Sequence, residues 1–139
     1  MNTSLIADQQ ASQHRAVVVG MYENLKHGNG EAVLMALSEE IAWTVPPGLP
    51  YGGTYRGREA VLNNVFSRFD AEWEGFEVGS DEIFAIGAVV IALGHYAGTR
   101  RETGKTMRAR FAHVWRFTDG VPVAFETIPD THTMVAAMS

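Results

Sequence analysis

The sequence predicts an α+β domain in which helices cover one face of a curved, mostly antiparallel sheet. Three observations predict it. In the first half of the chain, apolar residues recur at three- and four-residue steps, the period of an amphipathic helix. After Trp73 the pattern changes to apolar, β-branched and aromatic runs of strand length, four in succession. No helical segment separates those four runs, which opposes a parallel βαβ arrangement.

The elements follow in order. From about Asp8 to His27, Ala11, Val18, Met21, Tyr22 and Leu25 fall on one helical face, and Lys26-His27-Gly28 supplies a basic stop and a glycine. Residues 1–8 read as a flexible N-terminal arm. Asn29 is placed to cap a short second helix carrying Val33, Leu34 and Leu37. Ile41 to Val45 reads as a strand closed by Pro46-Pro47-Gly48, since consecutive prolines cannot continue a ladder. The stretch YGGTYRGRE reads as a loop feeding a third helix, Glu59 to about Phe69. Strands are predicted over Phe76–Phe84, Ala88–Thr99, Thr106–Phe117 and Val121–Ile128, with Asp119-Gly120 as a hairpin turn. Asp130 or Thr131 caps a short terminal helix.

Composition bounds the function. The 139 residues make one domain, spanning 1–139, with 46% hydrophobic and 19% charged residues, enough to build a core and exclude a disordered chain. The absence of cysteine excludes disulfides, thiol catalysis and thiolate metal sites. A net charge of -5 argues against nucleic acid as a partner. No apolar run approaches the roughly 20 residues of a membrane span, so no membrane partner is expected and a cytoplasmic location is the default. The five histidines show no metal-ligand spacing, and no nucleotide-binding or HExxH motif occurs; no metal and no cofactor are expected.

Three phrases carry a likeness: MYENLKHGNGEAVLMALSEEIAW, LPYGGTYRGREAV, and FAHVWRFTDG followed by a strand and Asp130. In their order and spacing the chain, over roughly residues 12–138, resembles the SnoaL-like polyketide cyclase group, which is related to ketosteroid isomerase and shares the nuclear transport factor two-like fold. The resemblance implies a cone-shaped barrel with a cavity between sheet and helices, and a homodimer joined through the outer face of the sheet. It also implies where ketosteroid isomerases carry their acids. The matching positions here are Val45 and Ala112, so 3-oxosteroid isomerization is not carried over. Tyr22 resembles the isomerases' phenolic donor. Epoxide hydrolysis is disfavoured too, because no acid stands two residues from Arg110 on its strand. Asp130 resembles a recurring aspartate of the group, at a place where helix capping also accounts for it.

The candidate site residues follow. Trp43, Tyr51, Tyr55, Tyr96 and Phe125 are predicted ligand-binding walls, since aromatic surfaces suit an apolar ligand and phenols orient a carbonyl. Arg108 and Arg110 share a strand face and suit an anionic group; salt bridges to the acidic stretch Glu72–Glu82 are the bland alternative. His95 and His113 are acid/base candidates because imidazole as a group ionises near neutral pH, and Glu126 on the last strand is another. The catalytic set predicted is Tyr22, Arg110, His113 and Glu126. Strand parity stays open. If Ala112 faces inward, so do Arg108 and Arg110; if it faces outward, Phe111, His113 and Trp115 line the cavity. The function expected is cofactor-independent proton transfer, isomerase- or cyclase-like, on a small hydrophobic carbonyl or polyketide-like compound. The partner expected is a small hydrophobic or weakly anionic molecule. The alternative is a non-catalytic small-molecule binding domain.

Overall fold

A computed structural model of the chain describes residues 3–139, with side chains from residue 6 onward. The element order is α1(Thr3–Lys26), α2(Gly30–Ala36), β1(Ala42–Val45), β2(Gly53–Arg56), α3(Arg58–Val61), a π-helical turn Leu62–Phe66, α4(Ser67–Glu72), β3(Trp73–Ile86), β4(Val89–Arg100), β5(Thr106–Thr118), β6(Val121–Pro129) and α5(Thr131–Ala136). The six strands form one sheet in the order β2-β1-β6-β5-β4-β3. Only the β1–β6 pair is parallel, with Trp43 opposite Phe125. The sheet is curved and mostly antiparallel, and it wraps around the N-terminal helices, as the sequence predicts.

Local chemistry explains most boundaries. The Asn29 side chain accepts from the Ala32 amide and caps α2, and the Asp130 carboxylate does the same for the Thr133 amide at α5. Asp119 and Gly120 both have positive φ, 51° and 78°, the geometry of a two-residue hairpin turn. Two expectations are corrected. Helix α1 starts at Thr3, so the segment expected as an arm is helical from there on; Met1 and Asn2 lie outside the described residues. The Tyr/Gly-rich loop contains a strand, β2, paired antiparallel to β1 with Tyr55 opposite Trp43.

The parity of β5 decides what the cone encloses. Met107, Ala109, Phe111, His113, Trp115 and Phe117 are buried, and the alternate residues Arg108, Arg110 and Arg116 are exposed. Each large apolar side chain withdrawn from water on the inner face contributes about 1.5–3 kcal/mol. Turning the strand over would bury guanidinium groups, which demand paired counter-charge to offset desolvation. Ala112 therefore faces outward, and the arginine-lined interior is excluded. Opposite β5, helix α1 contributes Val18, Met21 and Tyr22, and α2 contributes Val33, Leu34 and Leu37 to the same core.

Candidate functional site

Inside the cone a chain of hydrogen bonds crosses an otherwise apolar core. Tyr22 on α1 brings its hydroxyl oxygen 2.6 Å from His113 Nδ1, and Tyr96 on β4 brings its own 2.6 Å from His113 Nε2. The Tyr96 hydroxyl also lies 2.9 Å from Thr127 Oγ1 on β6, and Trp115 Nε1 donates to the Tyr22 oxygen at 3.1 Å. The His113 ring is stacked face to face on Phe111, centroids 3.6 Å apart. One helix and three strands thus deliver five polar groups, two of them from β5, to a place no two neighbouring residues build alone.

Burial sets the protonation states. His113 is 3% exposed, and desolvation drives its pKa well below the usual imidazole value, so the ring is neutral. Desolvation raises the Tyr22 and Tyr96 hydroxyls above the ordinary phenol range, partly countered by the Trp115 bond at Tyr22 and the Thr127 bond at Tyr96. Burial, followed by the Glu72 carboxylate, pushes Tyr51 up to about 12. A neutral imidazole has one donor and one acceptor nitrogen. Two directions of the chain are therefore possible. In one, Tyr22 donates to Nδ1 and Nε2–H donates to Tyr96. In the other, Tyr96 donates to Nε2, Nδ1–H donates to Tyr22, and the Tyr22 proton is left free to point away. All members are neutral in both directions, which is what a low-dielectric interior favours.

Two spaces adjoin this array and a third lies beyond them. A closed cavity of about 20 Å³, room for about one water, lies against Trp43, Val45, Tyr51, Tyr96 and Thr127. An open cleft of about 370 Å³ between α1 and β3 has Tyr22 in its wall, with Glu23, Lys26 and Glu77 around it. A second cleft, about 560 Å³, is lined by Leu25, Leu34, Leu62, Phe66 and Phe69, with Glu31 and Asp70 as its charged groups. The π-helical turn places Leu62 and Phe66 there; such turns accommodate an extra residue within a helix and reaim its side chains.

The predicted residues divide sharply. Tyr22, His113 and Tyr96 are brought together, and Trp43 and Tyr51 line the closed cavity. Phe125 is buried behind Trp43, stacked at 3.8 Å, and Tyr55 donates its hydroxyl to the Tyr51 carbonyl at 2.6 Å. Arg108, Arg110 and Glu126 stand on the opposite face of the sheet, because pleating gives alternate residues to opposite faces; this corrects their placement in the site. His95 is also on that outer face, 3.6 Å from the Asp81 carboxylate and opposite Arg110 in register. The acidic stretch is paired in part as the bland reading has it: Glu72 bridges Arg68 at 2.9 Å and Arg100 at 3.4 Å. Thr127 and Phe76 were not singled out by sequence. Thr127 shares the inward parity of Phe125 and was legible on that ground; Phe76 sits on a bulge, where period two fails.

Among the described residues, the buried polar or charged side chains besides tyrosine and tryptophan are His14, His113 and Thr127, and no carboxylate is among them. His14 Nδ1–H donates to the Gly87 carbonyl at 2.8 Å, and the ring stacks on Phe117. No group of three or more His, Asp or Glu side chains able to hold a metal ion occurs among the described residues. The interior thus offers phenol, hydroxyl and imidazole groups, suited to hydrogen bonding a neutral ligand and to moving protons.

The SnoaL-like domain family matches residues 18–124. A nuclear transport factor two-like protein from Burkholderia thailandensis is 36% identical, over 91% of this chain and 97% of its own, with a TM-score of 0.87. A nuclear transport factor two-like protein of unknown function from Burkholderia pseudomallei is 29% identical, over 91% and 98%, with a TM-score of 0.83. TerC, co-crystallised with polyporic acid, has the same fold at 21% identity, over 91% and 98%, with a TM-score of 0.82. No curated protein matches the chain significantly.

Proposed function

We propose that this chain, which belongs to the SnoaL-like domain family, binds one small, largely apolar carbonyl compound beside Tyr22 and promotes proton exchange at its α-carbon without a cofactor. One observation carries the reading: a neutral imidazole, His113, is held between two tyrosine hydroxyls at 2.6 Å each in an interior that is otherwise apolar. Apolar residues would fill that space without the cost of desolvating three polar groups. With Nδ1–H and Trp115 both donating to its oxygen, Tyr22 turns its proton outward to a ligand carbonyl. Tyr22 keeps this hydrogen bond, held by His113 and Tyr96 behind it, while solvent water at the open cleft takes the α-proton; charge gathers on the carbonyl oxygen, and a solvent proton then returns to the α-carbon. Donors fixed in advance at the atom where negative charge grows lower the barrier most. Co-crystallisation of TerC with polyporic acid accords with a small organic ligand.

The ligand in this reading is neutral. Arg108 and Arg110 are outside, and the clefts present Glu23, Glu31, Asp70 and Glu77 against Lys26 alone. The experiment is exchange of the α-hydrogens of small cyclic ketones for deuterium in heavy water, followed by mass spectrometry. Exchange above background is expected for the wild type and is lost in His113→Gln and Tyr22→Phe while the ketone still binds. Ketones that bind without exchange overturn the catalytic reading. The non-catalytic binding domain then takes its place; the absence of a carboxylate among the buried side chains favours it.

A homodimer through the outer sheet face is part of the proposal. Ile91, Leu93, Ala112, Val114 and Ile128 share that face, and Ile128 is 55% exposed. Apolar residues on both parities of a sheet need a cover on each side. A sedimenting species of one chain's mass at micromolar concentration removes it.

A further inference from the structure

We propose that Phe76 is the specificity-determining residue of this site: its ring separates a small inner cavity from two outer clefts, and so sets how deep a ligand reaches. The proposal rests on the Tyr22–His113–Tyr96 site as the place where ligand binds. The ring of Phe76 is common to the walls of all three spaces, the cavity of about 20 Å³ and the clefts of about 370 Å³ and 560 Å³. One face of the ring stacks on Phe69, centroids 4.4 Å apart and planes 12° apart. On its inner side it leans against Tyr96 at 5.5 Å, the hydroxyl-bearing ring that ends the hydrogen-bonded array. Tyr22 therefore faces a cleft on one side of Phe76, and Tyr96 with Thr127 faces the closed cavity on the other.

The backbone around Phe76 is arranged so that the ring can move. Glu74 pairs with Thr99 and Glu77 with Ala97, so Gly75 and Phe76 together oppose Gly98 alone in a bulge. Gly75 has φ of 62°, a conformation that L residues rarely adopt. A side chain on Gly98 would begin 3.4 Å from Phe76 Cα and 3.5 Å from its ring. Phe76 thus has a bare backbone on both sides and no regular ladder partner. A change of its χ1 turns the ring without breaking sheet pairing elsewhere. Outward rotation joins the cavity to the clefts, so that one ligand reaches Tyr22 at one end and Tyr96 with Thr127 at the other. The chamber then has phenol groups at both ends and aromatic walls between, which suits a flat, neutral, two-ring compound carrying an oxygen. With the ring inward, a compound in the cleft beside Tyr22 does not reach Tyr96 and Thr127.

The test uses 2-naphthol as a flat neutral probe, with binding followed by calorimetry and by stopped-flow quenching of tryptophan fluorescence, Trp43 being in the cavity wall. A minor open state of roughly 0.1–10% limits the apparent affinity by that fraction, so Phe76→Ala is expected to bind at least about tenfold tighter and to associate faster. Phe76→Leu is expected to fall between the two, and Phe76→Trp to bind more weakly than wild type. Near-ultraviolet circular dichroism establishes that each variant keeps its packed core; Phe76→Leu carries the test if Phe76→Ala loses it. Equal affinity and rate across wild type, Leu and Ala variants overturns the proposal, as does failure of all of them to bind the probe. Because the readout is binding, it stands apart from deuterium exchange: absent exchange with a graded Phe76 series leaves the partition in place and removes only the chemistry.

Discussion

The Tyr22 hydroxyl and His113 Nδ1 lie 2.6 Å apart although 91 positions separate the two residues in the chain. Helix α1 and strand β5 meet at that bond, and the second ring nitrogen ties the pair to Tyr96 on β4. Mutating any member is felt by the others.

His113→Phe leaves the Tyr22 and Tyr96 hydroxyls short of a partner in a buried site. A loss of about 2–4 kcal/mol in unfolding free energy is expected, from a desolvation penalty of about 1–3 kcal/mol per orphaned group. Tyr22→Phe with His113→Phe should cost less than the sum of the single changes, since the bond they share is counted twice. Denaturant titration of the four proteins measures the coupling; strict additivity would mean the contact is not maintained in solution.

Stability should fall on the acid side of neutrality because of His113. Its pKa in the fold is below the ordinary 6.5 as a result of burial, so below that pH the unfolded chain takes up a proton that the folded chain refuses. The contribution is unchanged above about pH 6.5 and turns progressively unfavourable as pH falls toward the lowered value. The difference in unfolding free energy between wild type and His113→Gln should drift in favour of the variant as pH falls below about 7. A difference that stays constant across that range would place a protonated imidazole inside the fold.

Tyrosine ionisation gives a second titration of opposite sense. Tyr22, Tyr51 and Tyr96 are all raised by burial, Tyr51 to about 12. The stability they confer by staying neutral is present below the free phenol value and is lost as pH rises through the raised ones. At about pH 11, where a free phenol is mostly ionised, unfolding should increase phenolate absorbance by close to three tyrosines' worth. An increase of one or less would show these hydroxyls in contact with solvent in the native protein.

Arg110→Met should leave the interior untouched. The guanidinium projects from the outer face, so stability is expected to change by no more than about 0.5 kcal/mol and 2-naphthol affinity not at all. Calorimetry and thermal unfolding check both. A weakened self-association in the same variant would place Arg110 at the proposed dimer contact, whereas a weakened probe would return it to the ligand site.

Much of the architecture was legible from local chemistry. Asn29, Asp130 and Asp119-Gly120 act through bonds and dihedrals within a few residues of themselves, and the helical and strand periods announce elements whose burial is one-sided. Strand β2 escaped because Gly53, Thr54, Tyr55 and Arg56 show no alternation; its pairing is imposed by β1. The early part of the helix escaped because residues 6–10 are all exposed and present no buried apolar face.

The site was legible only in part, for a related reason. Sequence names Tyr22, His113, Tyr96 and Trp43 as side chains capable of the work, and period two requires that Phe111, His113 and Trp115 share one face while Arg108 and Arg110 share the other. Period two is silent on which face the helices cover. That choice belongs to the packed molecule, where the cost of enclosing unpaired guanidinium groups is set against the burial of Phe111, Trp115 and Phe117. The place of Phe76 belongs there as well, since a bulge breaks the alternation from which position is read. Residue types and spacings fix what each segment can become; which side chains then meet depends on contacts between segments that no local pattern records.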